Sequence, residues 1–550
     1  MRLSLITELK RRNVFKVCVA YLALGWIVTE VTATVAPLLR MPEWLAPVVL
    51  WIGVIGFPFV VAFTWLFQRT PQGLQRDKGD DGDADRLRAA TPQTVADSHS
   101  IAVLPFVNMS SDKEQDYFSD GLSEELLNLL SQLPQLRVIA RTSSFSFKGK
   151  EADVATVAKV LNVGNVLEGS VRKSGETLRI TAQLVRASDS SRLWSQAYDR
   201  KMTDVFQVQD EIAGAVVAAL KVRLLPAQLI TNPRRTDNTE AYNAYLLGNQ
   251  FLNRGSVDGF RHAVAAYRRA IALDPEYAAA HAGLALAEGY SAEHEATAEG
   301  IAAGKQRARA AAEKAVALAP DLADGYTARG WLRSAFFLEW DMALADFEQA
   351  RVLDPGNCAV QHYYARLMAS YGRLDVAIDA HMKATELDPL SAWAWHHLGR
   401  EFSSAGQFQK ARDALSRALT ISPEFTSANY HLGCLELREG RAREALSSFQ
   451  RAGGMWNLAG TAMAEHSLGH PRESQQALDE LIVKNAHDSS YQIAQAHAWR
   501  GEHDKAFEWL ERAYVDRDGG LNRLKVDALL IPLRADSRFA EMVNRIGLPP

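Results

Sequence analysis

The sequence predicts a multi-domain chain: a two-helix transmembrane hairpin, a small α/β domain and an all-α array of helix pairs. Two long apolar stretches occupy residues 15–39 and 44–67. Short apolar runs alternate with amphipathic stretches between residues 101 and 224. In the second half of the chain, prolines recur at regular intervals after predicted helix ends. A length of 550 residues also exceeds what one hydrophobic core supports.

The composition excludes several classes of protein. The 61 Lys+Arg residues nearly balance the 65 Asp+Glu residues, which argues against a general nucleic-acid binder, so we expect no nucleic-acid partner. A hydrophobic fraction of 47% is typical of a folded chain. The three cysteines, Cys18, Cys358 and Cys434, are too few for a disulfide framework or a four-cysteine zinc site.

Each apolar stretch is long enough to cross a hydrocarbon core of about 30 Å as a helix. Basic residues flank the outer ends of the pair, whereas the connection at 40–43 carries Arg40 alone. The positive-inside rule then predicts a two-pass inner-membrane protein with a cytoplasmic basic tail (1–14), a lipid-embedded hairpin (15–67) and cytoplasmic soluble domains. A cleaved signal peptide is the competing interpretation, and periplasmic soluble domains are the alternative location.

The segment 68–99 follows the second apolar stretch. It is rich in Asp, Gly and Ala and has almost no large apolar residue. Such a composition cannot bury enough surface to become ordered, so we predict a disordered tether.

Residues 100–225 are predicted to form the α/β domain. Strands are indicated at 101–106, 136–140, 165–171, 178–185 and 191–198, and helices at 119–133, 152–161 and 206–224. Asp116, Asp120, Glu124 and Glu125 cluster near the first helix start. We interpret these carboxylates as partners of the helix dipole rather than as a metal or acid/base site.

Several fragments of this region resemble the TolB-like amino-terminal domain, related to the FlgO type. They are AVLPF (102–106), FSDGLSEEL (118–126), VIARTSSFSFKGK (138–150), LEGSVRKSG (167–175), LRITAQLV (178–185), LWSQAYDR (193–200) and DVFQVQDEIA (204–213). The resemblance implies a non-catalytic binding or assembly module. Relatives of this type often carry an adenylate cyclase, winged-helix or kinase domain. We expect none here, because only about 14 residues precede the first apolar stretch.

The repeat array is indicated by prolines that follow predicted helix ends. They stand at Pro275, Pro320, Pro355, Pro389 and Pro423, at intervals of 45, 35, 34 and 34 residues. Alanines precede each proline by twelve and by five residues, as close helix crossings require. The period resembles the tetratricopeptide repeat (TPR), with WHHLGREF (395–402) as its clearest match. The resemblance implies a solenoid of eight helix pairs over 239–550 that ends in a capping helix.

The repeat register places nine residues on the concave surface of the array. They are His362, Tyr363, Arg366, Trp393, His396, His397, Arg400, Tyr430 and His431. Their rings can stack on an extended peptide, and their arginines can bind its carboxylates. The alternative is that these residues are merely variable, partly exposed helix positions. We expect neither a metal nor a cofactor, because equivalent positions on neighbouring helices should be about 10 Å apart.

The predicted function is therefore a non-enzymatic, membrane-tethered scaffold or signalling adaptor that binds a protein or peptide in the concave groove. One alternative is an envelope assembly factor with periplasmic soluble domains. Another is a regulatory relative of TPR-containing adenylate cyclases that lacks the catalytic domain. A catalytic role would need a nucleophile or a metal-binding carboxylate pair, and no catalytic residue is assigned because neither is found with convincing spacing.

Overall fold

The computed structural model describes residues 67–70, 73–76, 97–110, 115–174, 177–220, 235–295 and 297–549. The chain divides into two compact units, Met1–Val95 and Ala96–Pro550. In the first unit, strand β1 (Phe67–Thr70) pairs with antiparallel strand β2 (Gly73–Arg76). The second unit contains the α/β domain and the helical array.

The predicted fold class and location require correction. Residues 15–66 of the predicted hairpin lie outside the described residues. Strand β1 starts at Phe67, the residue expected to end the second span, and continues into the segment expected to be a tether. Among the described residues, no helix is both long and apolar enough to cross a bilayer. The longest described helix, Ala298–Leu318, has 21 residues but carries charges throughout. The fold class becomes a small α/β region followed by a helical solenoid, and the two-pass inner-membrane assignment is withdrawn.

A mixed six-stranded sheet forms the centre of the α/β domain, in the order β5-β3-β6-β7-β8, with β4 paired to β6. Its strands are β3 (Ser100–Val103), β4 (Val107–Asn108), β5 (Arg137–Val138), β6 (Asn165–Ser174), β7 (Thr177–Arg186) and β8 (Arg192–Lys201). β3 runs parallel to both neighbours, whereas β6, β7 and β8 form an antiparallel meander. The meander strands are consecutive in sequence because short turns suffice to join antiparallel neighbours.

Helices cover both faces of this sheet. They are α1 (Asp116–Ser131), α2 (Arg141–Phe145), α3 (Val154–Leu161) and α4 (Val205–Ala219). Ile101 and Val103 pack in the core that contains α1 and α4, whereas Ala102 packs against α3, as the two-residue period of a strand requires. Helix α2 was not predicted, because its sequence RTSSF shows no apolar period.

The rest of the second unit is a solenoid. Within the described part of 239–516, eight helix pairs follow one another: α5 (Thr239–Leu252) with α6 (Val257–Leu273), α7 (Ala278–Ala292) with α8 (Ala298–Leu318), α9 (Ala323–Leu332) with α10 (Trp340–Leu353), α11 (Cys358–Ser370) with α12 (Leu374–Leu387), α13 (Ala392–Ser404) with α14 (Phe408–Ile421), α15 (Thr426–Arg438) with α16 (Ala442–Ala452), α17 (Gly454–Ser467) with α18 (Pro471–Asn485), and α19 (Ser490–Trp499) with α20 (His503–Asp516). The alanines predicted at the crossings are fully buried, as at Ala343, Ala377 and Ala411. Gly406 and Gly440 make the turns within their pairs with φ of 73° and 75°, which favours glycine.

The carboxyl-terminal segment after α20 does more than cap the last pair. It contains the short 3-10 helices Gly519–Arg523 and Ala528–Leu533 and helix α21 (Ser537–Ile546). The indole Nε1 of Trp340 donates to the carbonyl oxygen of Ile546 at 2.9 Å, and Lys525 Nζ donates to the carbonyl oxygen of Tyr371 at 3.2 Å. The segment therefore reaches back to helix pairs in the middle of the array.

Hydrogen bonds join the α/β domain to the solenoid at two aspartates, each of which ends the second helix of a pair. Ser143 donates from its backbone N and from its Oγ to Asp388 Oδ1, at 3.0 and 2.5 Å. One repeat earlier, Ser131 Oγ donates to Asp354 Oδ1 at 2.9 Å. Both aspartates belong to the Asp-Pro pairs that mark the repeat period. The same motif thus ends a helix and holds the neighbouring domain.

We expect Asp388→Asn to stabilise the chain at about pH 7.5. Burial raises the pKa of Asp388 from 3.8 to about 6, so the folded state holds this proton more tightly than the unfolded state. The contribution of the group to stability is then complete below about pH 4 and is lost as the pH rises to about 6. Asparagine keeps an oxygen acceptor for Ser143 without a charge, so the free energy of unfolding should rise by roughly 1–3 kcal/mol.

Denaturant unfolding of both proteins between about pH 4 and pH 8 measures this effect. The native chain should lose stability across the lower half of that range, and the variant should lose less. An unchanged pH dependence in the variant would show that Asp388 is not the titrating group.

Candidate functional site

A cavity of about 300 Å³ lies on the inner side of the solenoid. Its walls come from the first helices of consecutive pairs, from α9 to α19, and residues 519–529 of the carboxyl-terminal segment close one side. Sites for small ligands or short peptide segments begin at about this size. The cavity can therefore accommodate a few residues of a partner.

The structure brings the predicted groove residues together. Eight of the nine line this cavity: Tyr363, Arg366, Trp393, His396, His397, Arg400, Tyr430 and His431. The ninth, His362, is buried, and its ring centroid is 3.9 Å from that of Trp393. Their common location agrees with the predicted register, while their role in binding stays a prediction.

These residues are less exposed than an open groove would make them. Trp393 has 43% of its surface exposed, but His396 and Tyr430 have 2% and 1%. Tyr430 donates to Gln495 Oε1 at 3.2 Å and packs on Trp456 with ring centroids 4.7 Å apart, so it belongs to a hydrophobic core. Concave helix positions become buried here because first helices and the carboxyl-terminal segment face one another across a narrow space.

The cavity is rich in positive charge. Four arginines line it, Arg366, Arg400, Arg438 and Arg523, against a single lining carboxylate, Asp527, among the described residues. Arg523 pairs with Glu401 at 2.5 Å, and Arg438 donates to the carbonyl oxygen of Ser403 at 2.6 Å. The cationic wall therefore favours an anionic ligand.

Arg366 and Arg400 are the two cations available to such a ligand. Neither forms an ion pair with a carboxylate of the described residues. Burial, together with the charge of Arg523, lowers the pKa of Arg400 to about 10, which still leaves it protonated at neutral pH. Guanidinium groups bind carboxylates with two parallel hydrogen bonds, so both can hold an acidic group that enters the cavity.

Four buried imidazoles and the half-buried ring of His431 form the inner layer of this site. They are His362, His381, His396, His397 and His431, and burial lowers the pKa of each, that of His381 to about 4. The sequence did not reveal His381, because it lies on α12, a second helix that the repeat register turns away from the concave face. The separation of about 10 Å was expected for equivalent positions, but side chains at non-equivalent positions of neighbouring helices come much closer. The ring centroids of His362 and His397 are 4.7 Å apart, since the two side chains lean towards each other.

Three of the four clustered carboxylates of the α/β domain, Asp116, Asp120 and Glu124, form ion pairs, and the fourth, Glu125, is buried. Asp120 contacts Lys148 at 2.7 Å, and Glu124 contacts Arg141 at 2.9 Å. Asp116 and Asp120 also border a more open cavity of about 700 Å³ beside the sheet. The pairing supports a structural role for these carboxylates. Only Asp116 lies in the first turn of α1, where it can interact with the helix dipole, whereas Glu124 and Glu125 lie farther along the helix than expected.

Two family models match parts of the chain. The model of the second domain of HilA/YgeH-like transcriptional regulators matches residues 97–215, which is the α/β domain. The tetratricopeptide repeat model matches residues 397–455 and 461–521. The TolB-like resemblance of the α/β domain stays a prediction beside the first match.

Similarity to known proteins covers part of the chain. A protein of Rhizobium meliloti (strain 1021) named "Putative adenylate cyclase 3" is 39% identical over 201 residues, which are 36% of this chain and 34% of that protein. The aligned segment thus spans about a third of that relative's length. The Cut9-Hcn1 hetero-tetramer of the APC/C is 15% identical, covering 62% of this chain and 59% of that one, with a TM-score of 0.37.

A second solved structure is YrrB, described as a TPR protein with an unusual peptide-binding site. It is 23% identical and covers 34% of this chain and 89% of that one, with a TM-score of 0.24. The match to the tetratricopeptide repeat model supports the assignment of the helical array. The carboxyl-terminal half of the chain contains tetratricopeptide repeats, which are non-catalytic modules for protein interaction.

Proposed function

We propose that this chain is a non-enzymatic scaffold that binds an acidic segment of a protein partner in the cavity of its repeat array. The observation that carries the proposal is the pair of guanidinium groups, Arg366 and Arg400, that face the cavity without an ion-pair partner among the described residues. Both side chains are half-buried, and only longer-range attraction to Glu293, Glu401 and Asp527 compensates their charges, so holding them there is costly. An incoming carboxylate would remove that cost.

The remaining walls suit a peptide. Trp393 offers the most exposed aromatic ring of the wall, and Gln492, whose Oε1 has no hydrogen-bond partner among the described residues, supplies an amide that can bind a peptide backbone. Aromatic and arginine anchors in a desolvated pocket usually carry most of the binding energy of an interface. The volume of about 300 Å³ limits the bound part to a short segment, such as an acidic side chain with its neighbours or a chain terminus.

Signalling is the biological setting that we propose. The similarity to a protein named as an adenylate cyclase supports it, because a scaffold and an enzyme that share a segment can share partners. The α/β domain, fastened to the array at Asp354 and Asp388, would add a second contact surface for assembly.

The double substitution Arg366→Met and Arg400→Met should weaken acidic-peptide binding at least about tenfold, since each arginine anchor is typically worth about 2 kcal/mol. Random peptides displayed on phage and selected on the purified native chain supply the ligands. We expect the selected peptides to be enriched in Asp and Glu. Their dissociation constants are then measured by fluorescence anisotropy on native and variant chains.

Arg443→Met with Arg472→Met is the matched control, because it removes the same charge from exposed positions on the same array. It should leave affinity unchanged at about 0.15 M salt. The cavity variant should melt no earlier than the native chain, because two poorly compensated cations are removed. Selection without acidic enrichment, or equal weakening in both double variants, would contradict the proposed site.

A further inference from the structure

Three buried imidazoles converge beside the cavity. His362 lies on α11, His381 on α12 and His397 on α13, with exposed fractions of 3%, 0% and 6%. One ring nitrogen from each lies within 4.8 Å of the others. Two consecutive helix pairs thus bring three nitrogen donors to one point.

The spacing of these nitrogens suits a metal ion. In a tetrahedral zinc site, Zn–N distances of about 2.0–2.1 Å place two nitrogen ligands about 3.3 Å apart. His362 Nδ1 and His381 Nε2 are separated by 3.3 Å. The ring centroid of His397 is 4.7 Å from that of His362 and 5.7 Å from that of His381, so a small side-chain rotation would bring in the third donor.

The hydrogen bonding of the cluster is incomplete. Among the described residues, His362 Nε2 and His381 Nδ1 are buried without a hydrogen-bond partner. These are the ring nitrogens opposite to the two that lie 3.3 Å apart, so they are not the donor atoms of a metal; with an ion between His362 Nδ1 and His381 Nε2, they would carry the ring protons. Burial also keeps these rings neutral, as the lowered pKa values of His362 and His381 indicate, and neutral imidazole is the form that binds metals.

The surrounding charges limit which ions can bind. The positive charges of Arg366 and Arg400 repel a cation bound at the cluster. Glu401 is the carboxylate that most strongly favours a positive charge at His381. Its Oε2 is buried without a hydrogen-bond partner among the described residues. Arg523 is already paired with Glu401. Calcium and magnesium require several oxygen ligands, which a cluster of imidazoles does not offer. Imidazole donors favour zinc and its first-row neighbours.

We propose that His362, His381 and His397 form a three-histidine site for zinc or a related first-row dication. His397 also lines the cavity, so the fourth coordination position would face that side. The metal would connect α11, α12 and α13 and so stiffen the wall that carries Trp393 and Arg400. This site does not depend on peptide binding, and the two proposals can fail separately.

Zinc titration of the full chain, purified without a histidine tag and stripped by a chelator, tests the site. Competition with a chromophoric chelator should show one tightly bound equivalent. His381→Gln and His397→Gln should each weaken it at least about 100-fold, beyond the usual effect of a second-shell change. His431→Gln is the matched control, because His431 borders the same cavity but lies outside the cluster. It should bind zinc as the native chain does.

Trp393 provides an independent readout. Its ring centroid is 3.9 Å from that of His362 and 4.5 Å from that of His397, so a paramagnetic ion such as Cu²⁺ in the site should quench its fluorescence. Eleven other tryptophans remain in Trp393→Phe, so the quenching should become smaller in that variant rather than vanish. If His381→Gln fails to fold by circular dichroism, His362→Gln replaces it in both assays. Absence of a stoichiometric zinc equivalent, or native affinity in the cluster variants, would overturn the proposal. So would equal loss in His431→Gln, which would place the ion at His396 and His431.

Discussion

Replacing Glu401 by leucine should lower the free energy of unfolding by about 3 kcal/mol, because the buried Arg523 guanidinium loses its ion-pair partner and keeps only the weaker attraction of Asp527. Glu401 has no exposed surface, and its Oε1 is 2.5 Å from Nη1 of Arg523. The value lies at the lower end of the usual range of about 3–5 kcal/mol, since Arg523 keeps a hydrogen bond to Ser404 Oγ and some contact with the cavity. Denaturant unfolding followed by circular dichroism measures the loss.

The double variant Glu401→Leu with Arg523→Met separates charge from packing. Because an apolar pair of similar volume can replace a buried ion pair at little cost, we expect it to recover most of the lost stability. A double variant as unstable as the single one would show that the loss comes from packing. Limited proteolysis adds a positional test. In the single variant, cleavage should appear first in 519–533, because the ion pair fastens that segment to α13.

The pairing of Glu401 with Arg523 could not be predicted from the sequence. Glu401 and Arg523 are 122 residues apart, and no period in the sequence indicates which helix the end of the chain will reach. The repeat itself was predictable, because helix pairs of constant length need a small residue at each crossing. Ala343, Ala377 and Ala411 follow that rule, and all are fully buried.

The candidate site likewise has a part that the sequence predicted and a part that it did not. The register predicted that residues such as Trp393 and Arg400 share the inner surface, because first helices repeat their orientation from pair to pair. It could not predict how far the carboxyl-terminal segment buries them. Nor could it predict the approach of His381, which depends on the side-chain directions of three neighbouring helices.

Gly460→Ala should destabilise the chain by about 2–3 kcal/mol through overpacking. Gly460 lies on α17, and a Cβ there would overlap with Cγ of the fully buried ring of Phe449 on α16. The ring cannot move away easily, because Gly433 on α15 also packs against it, and a Cβ there would lie only 2.5 Å from its Cε1. The cost should exceed the gain of about 1 kcal/mol that alanine normally brings to a helix interior. Denaturant unfolding of the full chain measures the difference.

Gly214→Ala is the matched control, since Gly214 is exposed on helix α4 and a Cβ there would meet no atom within 4 Å. Helix propensity acts alone at this position, so we expect a gain of roughly 0.5–1 kcal/mol. Combining Gly460→Ala with Phe449→Leu should recover part of the loss if overlap with the ring is its cause. A Gly460→Ala variant as stable as the native chain would mean that α17 packs farther from α16. Close packing against Phe449 would then not explain why glycine occupies positions 433 and 460.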